Sequence, residues 1–158
     1  MRGNPGGYLD TSVLVASEWI KEGVIVRERF NDKTVKEYPS MEGAHSLAGV
    51  PTIVLVDEGT ASGAEIVAGA LQDYGAAKLV GIKTFGKGSV QDLQPLPDGS
   101  ALKLTIANWF TPKDRAIDKQ GIVPDILVDP LFKENKKSPK GYDDLGLQKA
   151  MELLTEKK

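Results

Sequence analysis

Cysteine is absent from these 158 residues, and histidine occurs once. The first absence excludes disulfides, thiol nucleophiles and cysteine metal sites. The second excludes a histidine-rich metal centre and leaves His45 as the sole imidazole. Charge is nearly balanced at −2, which removes the electrostatic basis for binding nucleic acid or an anionic membrane. No apolar run within the chain is long enough for a transmembrane helix, and none has the layout of a signal peptide. Asp114, Asp118 and Asp125 are too scattered to argue a metal site, and no motif calls for a cofactor. What is present is 41% hydrophobic content, enough for one compact core.

The chain is organised around Val50 to Gln91. Pro51 to Val56 is a continuous, largely β-branched apolar run, which suits a strand buried on both faces. Gly59, Thr60, Ala61, Ser62, Gly63 and Ala64 are all small. Ile66, Val67, Ala70, Leu71 and Tyr74 then recur at helical spacing, and Gly75 stands where a helix C-terminus wants glycine. Ser62 is thereby placed at a helix N-terminus, where only small side chains fit. It reads either as an N-cap or as a nucleophile, with backbone N–H groups and the helix dipole facing a developing oxyanion. Lys87, in Thr84-Phe85-Gly86-Lys87-Gly88-Ser89-Val90-Gln91, reads either as a solvated loop lysine or as a general base. A lysine serves as a base only when neutral, and burial is what disfavours its charged form. The flanking glycines and Phe85 would let it point into an apolar cleft. Gln91 would share a strand face with Ser89 and Leu93. Its amide oxygen could then hold the lysine by a hydrogen bond, the alternative being an exposed strand residue.

The run GTASGAEIVAGALQDYG…VGIKTFGKGSVQ resembles the active-site region of the carboxy-terminal processing proteases, serine proteases with a Ser-Lys-Gln arrangement. The opening MRGNPGG and the late TPKDRAIDKQGIVPDILV are similar to two further family segments. The resemblance covers most of Met1 to Val128. It implies Ser62 as nucleophile, Lys87 as base and Gln91 as third member, and an interval from Ser62 to Lys87 that agrees with the family pattern. It assigns the Gly6-Gly7 turn and Gly63 to the oxyanion hole. One departure is visible: the usual S-A-S-E-I reads Ser62-Gly63-Ala64-Glu65-Ile66, and Gly63 is expected to loosen the turn. The resemblance further implies a ClpP/crotonase-like core, protein or peptide substrates cut near their C-termini, an extracytoplasmic location, and a PDZ domain upstream in a full-length parent. The chain thus reads as a partial catalytic core.

The remaining segments fit an α/β fold with a mixed sheet and flanking helices. Tyr8 to Glu22 predicts an amphipathic helix capped by Asp10 or Thr11 and ended by Gly23. Val24–Phe30 and Lys33–Tyr38 predict a hairpin about Asn31-Asp32. Lys78–Ile82 reads as a short strand. Ser89–Leu96 and Ala101–Trp109 predict strands joined by Pro97-Asp98-Gly99-Ser100. Ile126–Val128 reads as an edge strand. Three units are expected: the partial core over 1–128, a charged linker over 129–142, and a helix over 143–158 with Leu147, Ala150, Met151 and Leu154 on one side. Gly81-x-x-x-x-Gly86-Lys87 is not a phosphate loop, because Gly88 replaces the metal-binding Ser or Thr and no helix follows. His45 with Asp57 is the only Ser-His-Asp alternative; the Ser-Lys reading makes His45 dispensable. Two other readings stay open. An exposed sheet edge would leave the piece inactive, dimeric or exchanging elements with a second copy. A noncatalytic binding module on the same core is the other.

Overall fold

The computed structural model describes residues 1–43 and 45–156. Its elements run α1 (Leu9–Ser17), β1 (Val24–Phe30), β2 (Val35–Pro39), β3 (Ile53–Val56), α2 (Gly63–Asp73), β4 (Lys78–Gly81), β5 (Ser89–Pro95), β6 (Ala101–Phe110), β7 (Ile126–Leu127), β8 (Phe132–Glu134), β9 (Tyr142–Asp144) and α3 (Leu145–Thr155). This is the expected α/β arrangement of sheets with flanking helices. Parallel and antiparallel pairing separate into different sheets. The order β2-β1-β6-β5 is antiparallel throughout. The order β3-β4-β7 is parallel, with β7 at its edge as predicted.

The apolar run at Ile53–Val56 becomes β3 and pairs with β4 in the register Ile53↔Lys78 to Val56↔Gly81. A parallel pair needs a crossover, and α2 supplies it. Every α2 residue except Gln72 is buried, so the helix is enclosed on all sides. Around it gather Val13 and Ala16 of α1, Ile25 and Val26 of β1, Val56 of β3 and Leu79 of β4. The start of α2, where Ser62 sits, is therefore held by the middle of the core.

Several boundaries differ from the sequence reading. The first helix ends at Ser17, with Tyr8 as its N-cap and no side-chain cap from Asp10 or Thr11. The Ser17 hydroxyl donates to the Val13 carbonyl at 2.7 Å, and tightened bonds from Glu18 and Trp19 to Val15 and Ala16 close the helix early. The hairpin about Asn31-Asp32 is present, with β2 starting at Val35. The stretch 129–142, read as a linker, instead folds: β8 and β9 pair, and Tyr142 packs edge-on against Phe132 with ring centroids 5.1 Å apart. Of the four residues expected to line α3, Ala150 is buried while Leu147, Met151 and Leu154 are exposed. Gly146 joins Ala150 on the packed side, which faces β3, β4 and β8. The last two residues of the helix read over 143–158 lie outside the described residues.

One ion pair ties the two ends together. Both Arg2 guanidinium nitrogens reach Asp144, at 2.8 and 2.6 Å, and Asp144 also caps α3 by accepting the Leu147 N–H at 2.9 Å. The Arg2 hydrogen bond is the main cause holding the Asp144 carboxyl below its ordinary value. A depressed carboxyl stabilises the fold above its unfolded value and loses that contribution as pH falls through the folded one. Asp144→Asn should therefore flatten the acid limb of the stability profile, measured by urea unfolding at stepped pH. In the core, Leu71 is 1% exposed. Leu71→Ala is expected to cost about 2–5 kcal/mol, read as a lower urea midpoint at unchanged slope.

Candidate active site

Ser62 is the N-cap of α2, with φ 54° and ψ −122°. An L-residue held there stores roughly 1–3 kcal/mol of backbone strain. Half of a capping box is fully formed, the Ser62 N–H donating to Glu65 Oε2 at 2.9 Å. The Glu65 N–H faces the serine in the outline of a capping box, but it donates to the Ser62 carbonyl at 2.8 Å and no side-chain cap hydrogen bond forms. Among the described residues the hydroxyl donates to no protein acceptor, and it stands at the tip of a strained turn.

The Gly6-Gly7 turn lies directly against that tip. Gly6 has φ +94°, and a Cβ on it would fall 2.6 Å from Gly63 N and 2.8 Å from Ser62 Cβ. Only glycine permits that approach. The Gly6 N–H is already used, donating to Asn4 Oδ1 at 2.9 Å. Among the described residues, the N–H groups of Gly7 and Gly63 have no protein acceptor. They are neighbours, since a Cβ on Gly63 would lie 3.1 Å from Gly7 N. The same Cβ would collide with Ser12 Oγ. Gly63 thus makes room for Ser12 of α1, which accounts for glycine in this turn by packing, where looseness was expected. A cavity of about 180 Å³ opens beside the two N–H groups, lined in part by Tyr8, Thr11, Val15 and Val67.

Sequence reasoning passed over the residue that joins the turn to the lysine loop. Glu65 is fully buried, and its carboxylate accepts four hydrogen bonds. Oε1 takes the Thr84 hydroxyl at 2.5 Å and the Gly86 N–H at 2.7 Å. Oε2 takes the Lys87 N–H at 2.8 Å and the Ser62 N–H at 2.9 Å. Four donors and the α2 N-terminus offset the desolvation of the charge without any cation. Thr84 extends the network by accepting the Ile122 N–H at 2.7 Å. Phe85 N–H donates to the Thr60 carbonyl at 3.0 Å, a second strut between lysine loop and serine turn. The one signal in the sequence was an acidic residue three positions into a helix, which reads as routine.

The lysine and glutamine side chains are placed differently from expectation. Lys87 is exposed, and Phe85 is 67% exposed, so no apolar cleft encloses the amine in this chain. The flanking glycines instead face the loop after β6: the Lys119 N–H donates to the Gly86 carbonyl at 2.8 Å. Gln91 does lie on β5, paired with Thr105 across a bulge that leaves Ile106 unmatched, and it is exposed. Among the described residues no hydrogen bond joins Lys87 Nζ to Ser62 or to Gln91. The backbone of the trio is in place; its side chains are not engaged. His45 sits elsewhere, its Nδ1 2.6 Å from the Ser17 carbonyl, while Asp57 accepts N–H groups from Gly3 and Gly59. The Ser-His-Asp alternative is therefore not assembled. Among the described residues no cluster of three metal-ligating side chains occurs.

The family follows from comparison. The profile of peptidase family S41 matches residues 1–128, and the chain belongs to that family. The carboxyl-terminal-processing protease of Picosynechococcus sp. is 40% identical over 162 residues, covering 99% of this chain and 37% of the relative. Carboxyl-terminal-processing peptidase 3, chloroplastic, of Arabidopsis thaliana is 41% identical, over 85% of this chain and 27% of its own length. The solved photosystem II D1 C-terminal processing protease superposes with a TM-score of 0.77 at 34% identity, over 89% of this chain and 36% of that one. The chain thus spans about a third of the length of the relatives it matches.

Glu65→Gln tests the network. An amide presents NH2 to two donors where the carboxylate presented oxygen. It should cost about 2–6 kcal/mol in stability, since each stranded buried donor costs about 1–3 kcal/mol. Differential scanning calorimetry and urea unfolding both read that loss, and unchanged stability would contradict the network.

Proposed function

We propose that this chain is the nucleophile-bearing part of a serine endopeptidase that cuts protein substrates near their C-termini. The observation that carries the reading is Ser62: a strained serine whose hydroxyl donates to no protein acceptor among the described residues, beside N–H groups of Gly7 and Gly63 that are likewise without one. In the proposed chemistry Lys87, as free amine, takes the Ser62 proton while Oγ attacks the scissile carbonyl. The Gly7 and Gly63 N–H groups receive the oxyanion, with Gly6 shaping the turn while its own N–H stays on Asn4. The protonated Lys87 gives the Ser62 proton to the leaving amine as the peptide bond breaks; the regenerated amine then takes a proton from the water that hydrolyses the acyl-enzyme, and Gln91 is assigned to steadying the amine. The cavity beside Gly7 and Gly63 suits a small side chain next to the cut bond. Substrates are proteins or peptides, and no nucleic acid or cofactor is invoked. We assign the whole protein to an extracytoplasmic compartment and expect a PDZ domain outside this stretch, both from the family resemblance.

A second reading is favoured by one observation. The Lys87 side chain is exposed and makes no hydrogen bond among the described residues, which fits a piece whose site is completed only by the rest of the parent protein. The piece alone would then be inactive, and its free β5 edge would invite pairing with a second copy. A noncatalytic binding module has less support, because a binder has no need of a strained serine beside open N–H groups.

In the full-length parent, Ser62→Ala should lower kcat by about 10⁴-fold or more, and Lys87→Ala by about 10²–10⁴-fold, with far-UV circular dichroism preserved. Cleavage of an unstructured protein and labelling by a fluorophosphonate probe measure both. Wild-type rates in the two variants would end the proposal. Cleavage by a monomeric 158-residue piece would end the second reading instead.

A further inference from the structure

We infer that Asp144, outside the matched family region, is a positioning residue for the oxyanion turn and acts through Arg2. The inference deepens the peptidase reading and rests on its assignment of the Gly7 and Gly63 N–H groups.

The turn itself offers few side chains as anchors. Gly3, Asn4, Pro5 and Gly7 are all exposed, and Pro5, Gly6 and Gly7 carry no side chain able to grip the protein. On its downstream side the segment is tied by backbone and Asn4 contacts. The Gly3 N–H reaches the Asp57 carboxylate at 2.9 Å, and the Ala61 N–H reaches the Asn4 carbonyl at 2.9 Å. On its upstream side Met1 packs against the core and its carbonyl accepts the Thr60 hydroxyl and the Asn4 N–H, both at 3.1 Å, and Arg2 adds the charged side-chain anchor. Its planar fork is held by both Asp144 oxygens, at 2.8 and 2.6 Å, and its face lies over the Phe132 ring at 5.2 Å. A bidentate fork fixes direction as well as distance. The side chains are only 20% and 21% exposed, so screening by solvent is partial.

Asp144 is itself fixed from two sides. It closes β9, paired with Phe132 of β8, and it caps α3 through Leu147 N–H. The Leu145 N–H donates to the Leu131 carbonyl at 2.9 Å, locking the hairpin to the helix. Hairpin, helix and guanidinium therefore share one carboxylate. Both partners titrate as a mutual pair: the Asp144 contact raises Arg2, and the Arg2 contact lowers Asp144. Displacing Arg2 would loosen the segment four residues before Gly6 closes on Ser62 Cβ, and a shift of about 1 Å there costs on the order of a hundredfold in rate.

The test uses Asp144→Asn in the full-length parent. Asparagine caps a helix as well as aspartate does, so α3 is kept while the charged fork is lost. Amide hydrogen exchange across residues 3–7 should accelerate about tenfold or more, with α2 and α3 unchanged. For an unstructured protein substrate kcat should fall about 10–100-fold, with KM within about twofold. Asp144→Glu should recover most of the exchange protection and of kcat, and Asp144→Ser, which also caps a helix but carries no charge, serves in place of the asparagine variant if that one fails to fold. Wild-type exchange in Asp144→Asn overturns the inference, as does faster exchange with wild-type kcat. Faster exchange in a parent whose wild-type form takes no fluorophosphonate supports the clamp and overturns the peptidase reading.

Discussion

A buried carboxylate without a cation must be met by donors, and Glu65 is met by four. Three of those donors are backbone N–H groups, at Ser62, Gly86 and Lys87. The requirement therefore fixes where three stretches of chain cross: the mouth of α2, the loop after β4 and, through Thr84, the loop ending at Ile122. Backbone bonds from Phe85 to the Thr60 carbonyl and from Thr84 to the Ile122 carbonyl, at 3.0 and 3.1 Å, reinforce the same crossing. The strained conformation of Ser62 persists because its N–H is committed to Glu65 while the rest of α2 is enclosed by the core.

The same constraint explains which parts of the candidate site are ordered. Everything determined by backbone hydrogen bonding is formed: the serine turn, the two unpaired N–H groups and the start of the lysine loop. What depends on a surrounding wall is not. The Lys87 amine needs a dry neighbourhood to act as a base, and its only aromatic neighbour in sequence, Phe85, faces solvent. The chain spans about a third of its relatives' length, so a wall supplied by other residues is consistent with this arrangement.

Much of the fold was legible because hydrophobic period and turn chemistry agree locally. β1, the two hairpins, the enclosed strand–helix–strand unit and the glycine after α2 all follow from such patterns. The failures share a cause: each is decided by a partner distant in sequence. The 129–142 stretch has the composition of a linker, yet Phe132, Tyr142 and Arg2 make it a hairpin. The apolar stripe of α3 mispredicts its packed side because small residues, Gly146 and Ala150, let the helix approach. At the site, Ser62 and the glycine turn stand out by their chemistry. Glu65 does not, because an acidic residue at N3 is common whether or not anything else depends on it.

Lys87 enters the architecture only through its amide. Its N–H belongs to the Glu65 network, and its ammonium belongs to nothing among the described residues. Fold and reactivity are therefore decoupled at this position. Exchanging the lysine for another side chain would keep the Glu65 bond and the scaffold while removing the amine that the proposed chemistry assigns as base.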